Sequence, residues 1–222
     1  MQCWQCYSMP ELKENEETQK LSKKEFFDKA AEIWDERFCT PSLASFLEKL
    51  VPQLGLGAGQ KVLDVGTGTG VLIPYLVKEV GLSGSVTAID FSENMVQACK
   101  TKYGHLENVV VEVGDIEKNV FSPESFDAVV CFGVFPHLEN KEKVLQNINY
   151  LLKPAGALII AHALSSEEIK THHKNAASSV CHDMLPEMAK MEELLENAGF
   201  SGISIKDEPG CYLCIARKVI TK

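Results

Sequence analysis

The chain has 222 residues, 45% hydrophobic and 24% charged, with a formal net charge of −9. That length suits one sizeable domain with an extension. The composition is that of a globular protein, and an acidic chain without a Lys/Arg run argues against general nucleic-acid binding.

The longest uncharged apolar stretches, such as 155–161, are too short to span a bilayer, so no membrane span is expected. The N-terminus lacks a basic region followed by an apolar one and does not read as a secretory signal, so a cytoplasmic location is expected. Eight cysteines are spread along the chain, and in that setting they read as reduced thiols rather than disulfides.

Residues 1 to about 20 are polar and acidic and read as a loosely docked extension. Phe26, Phe27, Ala30, Ala31, Ile33 and Trp34 then recur at helical spacing, predicting an amphipathic helix over about 23–38. Thr40-Pro41 is an N-cap followed by proline at the first helical position, opening a second helix with Leu43, Phe46, Leu47 and Leu50 on one face. The Gly-rich turn at 54–60 closes this part, giving an expected division into 1–58, helices covering a site, and 59–222, a catalytic domain.

From there strand and helix alternate. KVLDVG is a strand, TGVLIPYLVKEV a helix, SVTAID a strand, ENMVQACKTKYG a helix, NVVVEVG and FDAVVCFG strands, KEKVLQNINYLL a helix and GALIIAHA a strand. Ser165 with Glu168 forms a capping box for a further helix. EMAKMEELLENAGF is a helix ended by Gly199, and SGISIKD and CYLCIARKV form a hairpin around Pro209-Gly210. The expected fold is α/β: a doubly wound, Rossmann-like, seven-stranded and mostly parallel sheet with an antiparallel C-terminal strand and a helical N-terminal extension. Such sheets bind ligands at the carboxyl ends of their strands, near the switch point.

The strongest chemical signal lies there. Val62-Leu63-Asp64-Val65-Gly66-Thr67-Gly68-Thr69-Gly70 follows a strand and precedes a helix, and Asp90 ends the next strand. Gly66 allows the tight turn, Gly68 a close backbone approach and Gly70 the start of the helix, while Asp90 is placed to accept both hydroxyls of a ribose. The G-x-G-x-G spacing departs from the G-x-G-x-x-G of dinucleotide sites. Asp64, two residues before the first glycine, would be unwelcome beside a pyrophosphate but suits an ammonium group. A Tyr-x-x-x-Lys pair is also missing at Tyr103 and Tyr150, which speaks against an NAD-linked reductase.

These residues resemble the class I S-adenosylmethionine-dependent methyltransferases. VLDVGTGTG, VTAIDFSENM, VEVGDIE, FDAVVCFGVFPHL and LLKPAGALIIAH look like five of that family's motifs in order, over about 60–218. The chain is similar to the menaquinone and ubiquinone biosynthesis C-methyltransferases and their small-molecule relatives. The resemblance implies S-adenosyl-L-methionine as cofactor, with Asp90 on the ribose, Phe91 and Ile116 against the adenine, Asp115 near its amino group, and Phe132 and Gly133 lining the cofactor. It also implies that Trp34, with Phe27, covers the cofactor; the competing reading makes Trp34 a core anchor of its helix.

A sulfonium methyl is already electrophilic, so a base is needed only if the acceptor must lose a proton. His137, His162 and His173 fall beyond strand ends where the methyl would lie and are the candidate catalytic residues; His172, Cys181, His182 and Asp183 follow in the same excursion. The three histidines are also candidates to converge on a metal, but the 162-to-173 spacing matches no helical metal motif and no metal is predicted. Cys3-x-x-Cys6 and Cys211-x-x-Cys214 look like halves of a zinc site, yet they are separated by nearly the whole chain and the second pair lies in a strand, where an offset of three points to opposite faces. GVFPHL lacks the Asn/Asp-Pro-Pro-aromatic signature of enzymes that methylate exocyclic amino groups of bases. The expected acceptor is a small organic molecule, and the expected assembly a monomer or homodimer. The alternative is a non-catalytic S-adenosylmethionine-binding sensor or partner subunit, which a blocked pocket after His137 or His162 would favour.

Overall fold

The computed structural model describes residues 21–118, 121–174 and 179–220. The expected extension over 1–20, with Cys3 and Cys6, lies outside them. Eight α-helices are described: α1 Lys23–Ala30, α2 Trp34–Phe38, α3 Pro41–Leu50, α4 Ile73–Val80, α5 Glu93–Tyr103, α6 Lys141–Leu151, α7 Ser166–Lys174 and α8 Met188–Asn197. The seven strands are β1 Lys61–Val65, β2 Ser85–Asp90, β3 Val109–Val113, β4 Phe126–Phe132, β5 Leu152–His162, β6 Phe200–Glu208 and β7 Cys211–Lys218.

They form one sheet in the order β3-β2-β1-β4-β5-β7-β6. The first five are mutually parallel and β7 runs antiparallel to both β5 and β6. The chain winds outward from β1 to β3, then returns to the other side of β1 as β4. The switch point therefore lies at the carboxyl ends of β1 and β4, where the two directions of winding open a crevice.

Alternation along the strands divides the apolar residues between two faces. Leu63 and Val65 join Val129, Cys131, Leu158 and Ile160 under α6 and α8. Val62, Val86, Ala88, Val130 and Ile159 face α3, α4 and α5. Leu43, Leu47 and Leu50 of α3 belong to this second layer, so the segment before the 58/59 division shares its core with β1. A third cluster joins Phe26, Phe27 and Ala30 of α1 to Met95 of α5 and to Val180.

Two elements differ from the sequence reading. The single helix expected over 23–38 is broken by a 3₁₀ turn at Ala31–Ile33. The helix read from Thr69 begins only at Ile73, because Gly68 (φ 55°) and Gly70 (φ 91°) hold left-handed backbone that no α-helix contains; Pro74 then sits in the first turn, where its missing N–H costs nothing. The antiparallel strand is last in the chain but not at the sheet edge. Tyr212, Leu213, Cys214 and Ala216 of β7 are buried, so this strand lies inside, while polar β6, with Lys206, Asp207 and Glu208, forms a charged edge.

Candidate active site

The loop after β1 is fixed by its own backbone. The Gly66 and Thr67 N–H groups both donate to the Ile89 carbonyl at the end of β2, at 2.8 and 2.9 Å. Gly66 has φ 68°, and a Cβ there would stand 2.3 Å from Val134 Cγ2. The Gly68 N–H donates to Asp90 Oδ2 and the Ser92 N–H to Asp90 Oδ1, both at 2.9 Å. The Trp34 indole stands over Gly68, with Nε1 3.7 Å from where its Cβ would be. Gly70 has another function: a Cβ there would meet Tyr103 at 2.7 Å and Cys99 at 2.8 Å, so this glycine lets α5 pack onto the loop.

Asp64 is 1% exposed and lies beneath the loop. Its Oδ2 and the neighbouring Thr67 Oγ1 are buried without a hydrogen-bond partner. Burial pushes the Asp64 carboxyl up to about 7, with the charge of Asp90 adding to the rise; burial likewise pushes Asp90 up to about 6. A carboxyl whose folded pKa is raised adds stability below its unfolded value, and that stability is lost as pH rises through the folded value. Asp64→Asn, which cannot ionise, is thus expected to gain stability relative to the parent between pH 5 and pH 8, on the order of 2 kcal/mol. Thermal unfolding of the ligand-free protein at the two pH values reads this difference, and a constant offset between the two proteins would contradict it.

Two chambers meet over this loop. One, of about 310 Å³, is lined by Phe91, Asp115, Ile116 and Leu138 among others. The other, of about 190 Å³, is lined by Trp34, Thr67, Gly68, Phe132 and Gly133 and by the histidines 137, 162, 172 and 173. Gly66, Asp90, Phe91, Val134 and His137 line both. Asp115 Oδ1 accepts the Glu117 N–H at 3.0 Å, and Lys118 sits 3.0 Å from Oδ2. Aromatic rings wall the second chamber: Phe27 packs on Trp34, Phe91 and His137 at centroid distances of 5.9, 5.8 and 5.2 Å.

Helix α1 and the residues after it close over the cleft through three polar clasps. Lys23 Nζ donates to the His137 carbonyl at 2.8 Å and to Asp183 Oδ1 at 3.0 Å. Asp28 accepts the Ser92 hydroxyl at 2.5 Å and Asp35 accepts the Thr69 hydroxyl at 2.5 Å.

The histidines differ in their partners. His137 Nδ1 lies 2.7 Å from Asp183 Oδ2, and His173 Nδ1 lies 2.5 Å from the Asp183 carbonyl oxygen. An acceptor oxygen beside each Nδ1 puts the proton there and leaves Nε2 with its lone pair. The His137 and His173 rings are 5.0 Å apart. His162 has no such partner: its Nε2 is buried unpaired, as is the hydroxyl of nearby Tyr212. Burial holds His162 at about 3 and His173 at about 4, and lowers His137 and His172.

Of the residues expected from the sequence, Trp34, Gly66, Thr67, Gly68, Asp90, Phe91, Asp115, Ile116, Phe132, Gly133 and all three candidate histidines line the joined chambers, while Asp64 and Gly70 line neither. Sequence reasoning gave no role to Val134 or Lys23 and named Asp183 only as part of the excursion after β5, not as the partner of His137; these contacts span 68, 114 and 46 positions, for which a single sequence carries no signal. No group of three metal-binding side chains occurs among the described residues. Cys214 is fully buried and Cys211 half-buried, and the described cysteines are thiols.

Residues 56–199 match the family described as Methyltransferase domain. Over 112 residues, half of this chain, the sequence is 37% identical to the demethylmenaquinone methyltransferase of Staphylococcus aureus, strain MRSA252. That alignment spans 46% of the relative's length. Among solved structures, an S-adenosylmethionine-dependent methyltransferase from Aquifex aeolicus superimposes with a TM-score of 0.68 at 28% identity, over 86% of this chain and 98% of that one. The phosphoethanolamine N-methyltransferase 2 of Haemonchus contortus, solved with S-adenosyl-L-methionine, shares the fold with a TM-score of 0.72 at 18% identity, over 89% of this chain and 59% of that one.

Proposed function

The chain belongs to the methyltransferase domain family, within the class I S-adenosylmethionine-dependent methyltransferases, and from that premise we propose that it moves a methyl group from S-adenosylmethionine to a small organic acceptor. The observation that carries this reading is the pair of chambers joined at Gly66, Asp90 and Val134, beyond the carboxyl ends of β1, β2 and β4. The residues there fit the cofactor. Asp90 has a lone pair on each oxygen beyond those used by Gly68 and Ser92, enough for two ribose hydroxyls. Phe91, Ile116 and Asp115 offer an apolar slot with a polar end for adenine. Gly66 and Gly68 put no side chain between the loop and the amino-acid portion, and the partnerless Thr67 Oγ1 adds an acceptor at the same loop.

When bound, the cofactor supplies a methyl group on a positively charged sulfur, which departs as a neutral thioether. The protein's own task is placement and exclusion of water. Trp34 and Phe27 cover the loop, Phe132 and Gly133 line the chamber below, and His137, His162 and His173 face the acceptor side. Histidines kept neutral by burial add no positive charge beside a sulfonium. Holding two reactants in line accounts for much of the rate gain in such a transfer.

A chamber of about 190 Å³ suits a small acceptor rather than a macromolecule, in keeping with the net charge of −9. No helix among the described residues is long and apolar enough to cross a membrane; a cytoplasmic site of action and a monomeric or homodimeric state complete the proposal. The non-catalytic alternative called for a blocked pocket after His137 or His162, and both residues instead line an open chamber.

Calorimetry with S-adenosylmethionine and, in parallel, NADH tests the reading. Saturable binding of the first alone is expected, followed by methyl transfer in an acceptor screen; binding of NADH alone would overturn it.

A further inference from the structure

The histidines are not equivalent, and the difference lies in what stands behind each ring. His137 alone has a carboxylate on Nδ1, Asp183 Oδ2 at 2.7 Å. His173 has only a backbone carbonyl there, and the Nε2 of His162 is buried without any partner. A buried imidazole can hold a second proton only where an anion compensates the charge. The anion is itself held: Lys23 of α1 reaches the other Asp183 oxygen at 3.0 Å and, with the same ammonium, the His137 carbonyl at 2.8 Å. Side chains of Lys23 and Asp183 are 17% and 14% exposed, so this arrangement is sheltered from solvent screening.

We propose that His137 takes a proton from the methyl acceptor at Nε2, that Asp183 is its positioning residue, and that Lys23 completes the base only when α1 lies across the cleft. The inference rests on the methyltransferase reading above and deepens it. It makes the acceptor a protic one, whose reacting atom or conjugated system carries an acidic O–H, N–H, S–H or C–H. In the step, the acceptor's bond to hydrogen breaks, its electron pair stays on the acceptor, and the proton moves to Nε2. Asp183 stabilises the imidazolium through the Nδ1–H, and the proton passes to water when the cleft opens. Deprotonation is thereby tied to closure: the ammonium that shuts α1 over the chamber is the one that fixes the carboxylate. Besides Asp183 and Lys23, the groups facing His137 are Lys141 at the start of α6, His172 and His173 on α7 and His162 at the end of β5. The lysines disfavour a charged ring, so the carboxylate is essential.

The test uses 4-nitrophenol, whose ionised form is coloured, added to the full chain saturated with S-adenosylhomocysteine so that no methyl can move. The expected result is phenolate absorbance from the bound probe at a pH where the free probe is neutral. That signal is lost in His137→Gln and Asp183→Asn, reduced in Lys23→Met and restored in Lys23→Arg. Calorimetric binding of S-adenosylhomocysteine and far-UV circular dichroism confirm that each variant is folded. A signal unchanged in His137→Gln or Asp183→Asn, or a loaded protein that takes up no probe or leaves it un-ionised, overturns the proposal. Failure of the parent protein to bind S-adenosylhomocysteine would instead defeat the cofactor reading beneath it.

Discussion

Gly66→Ala is expected to destabilise the protein by about 2–5 kcal/mol, from overpacking together with left-handed strain. The added methyl would lie 2.3 Å from Val134 Cγ2, 2.5 Å from Val134 Cβ and 3.1 Å from Cγ1. Rotating the valine cannot clear it, because the Cβ itself is too close. Either β1's loop or the segment after β4 must shift, and each carries part of the wall shared by the two chambers. For a chain of this size about 1 kcal/mol lowers the melting temperature by about 2–4 °C, so the loss is readily seen by thermal unfolding. The double variants give the sharper test. Val134→Ala keeps the offending Cβ and is expected to relieve little, whereas Val134→Gly removes the contact and leaves only the cost of φ 68° at residue 66. Equal rescue by both would show that Val134 is not what excludes a side chain.

Asp90→Ala is expected to weaken S-adenosylmethionine binding by about 3–6 kcal/mol, the value of two charge-assisted hydrogen bonds. In calorimetry that is a rise in Kd of about 10²- to 10⁴-fold. The carboxylate also accepts the Gly68 and Ser92 N–H groups, so its removal loosens the loop as well as the ribose contact. Asp90→Asn, which keeps one acceptor oxygen, should fall between. Burial raises Asp90 to about 6, and the ionised form is the one that accepts, so parent affinity should decline as pH falls through that value. A flat affinity between pH 5 and pH 8, or an Asp90→Ala variant that binds like the parent, would remove Asp90 from the site.

Much of this was readable in the chain itself, for local physical reasons. Short apolar runs such as VLDV at 62–65, ended by Gly66, and AVVC at 128–131 read as buried strands, and their alternation with amphipathic helices indicates a mostly parallel sheet. Ser165 with Glu168 announced the start of α7, and the Glu168 carboxylate does accept the Ser165 N–H, at 2.8 Å. The tight turn at Gly66 and Gly68, bonded to Asp90 at the end of the next strand, was legible because left-handed backbone favours glycine.

What the sequence could not determine depended on distance along the chain. That Gly70 lets α5 pack onto the loop follows from where Tyr103 and Cys99 lie. That β7 is interior and β6 the edge follows from which of two adjacent strands loses its apolar side chains to both faces. The histidines were visible as candidates, but only the fold ranked them. A carboxylate 46 residues from His137, and a lysine 160 residues from that carboxylate, meet at one ring while His162 is left with none. Spacing and composition specify local conformation through sterics and apolar periodicity; the proton affinity of a buried ring depends on which charges the folded backbone brings within a few ångströms of it.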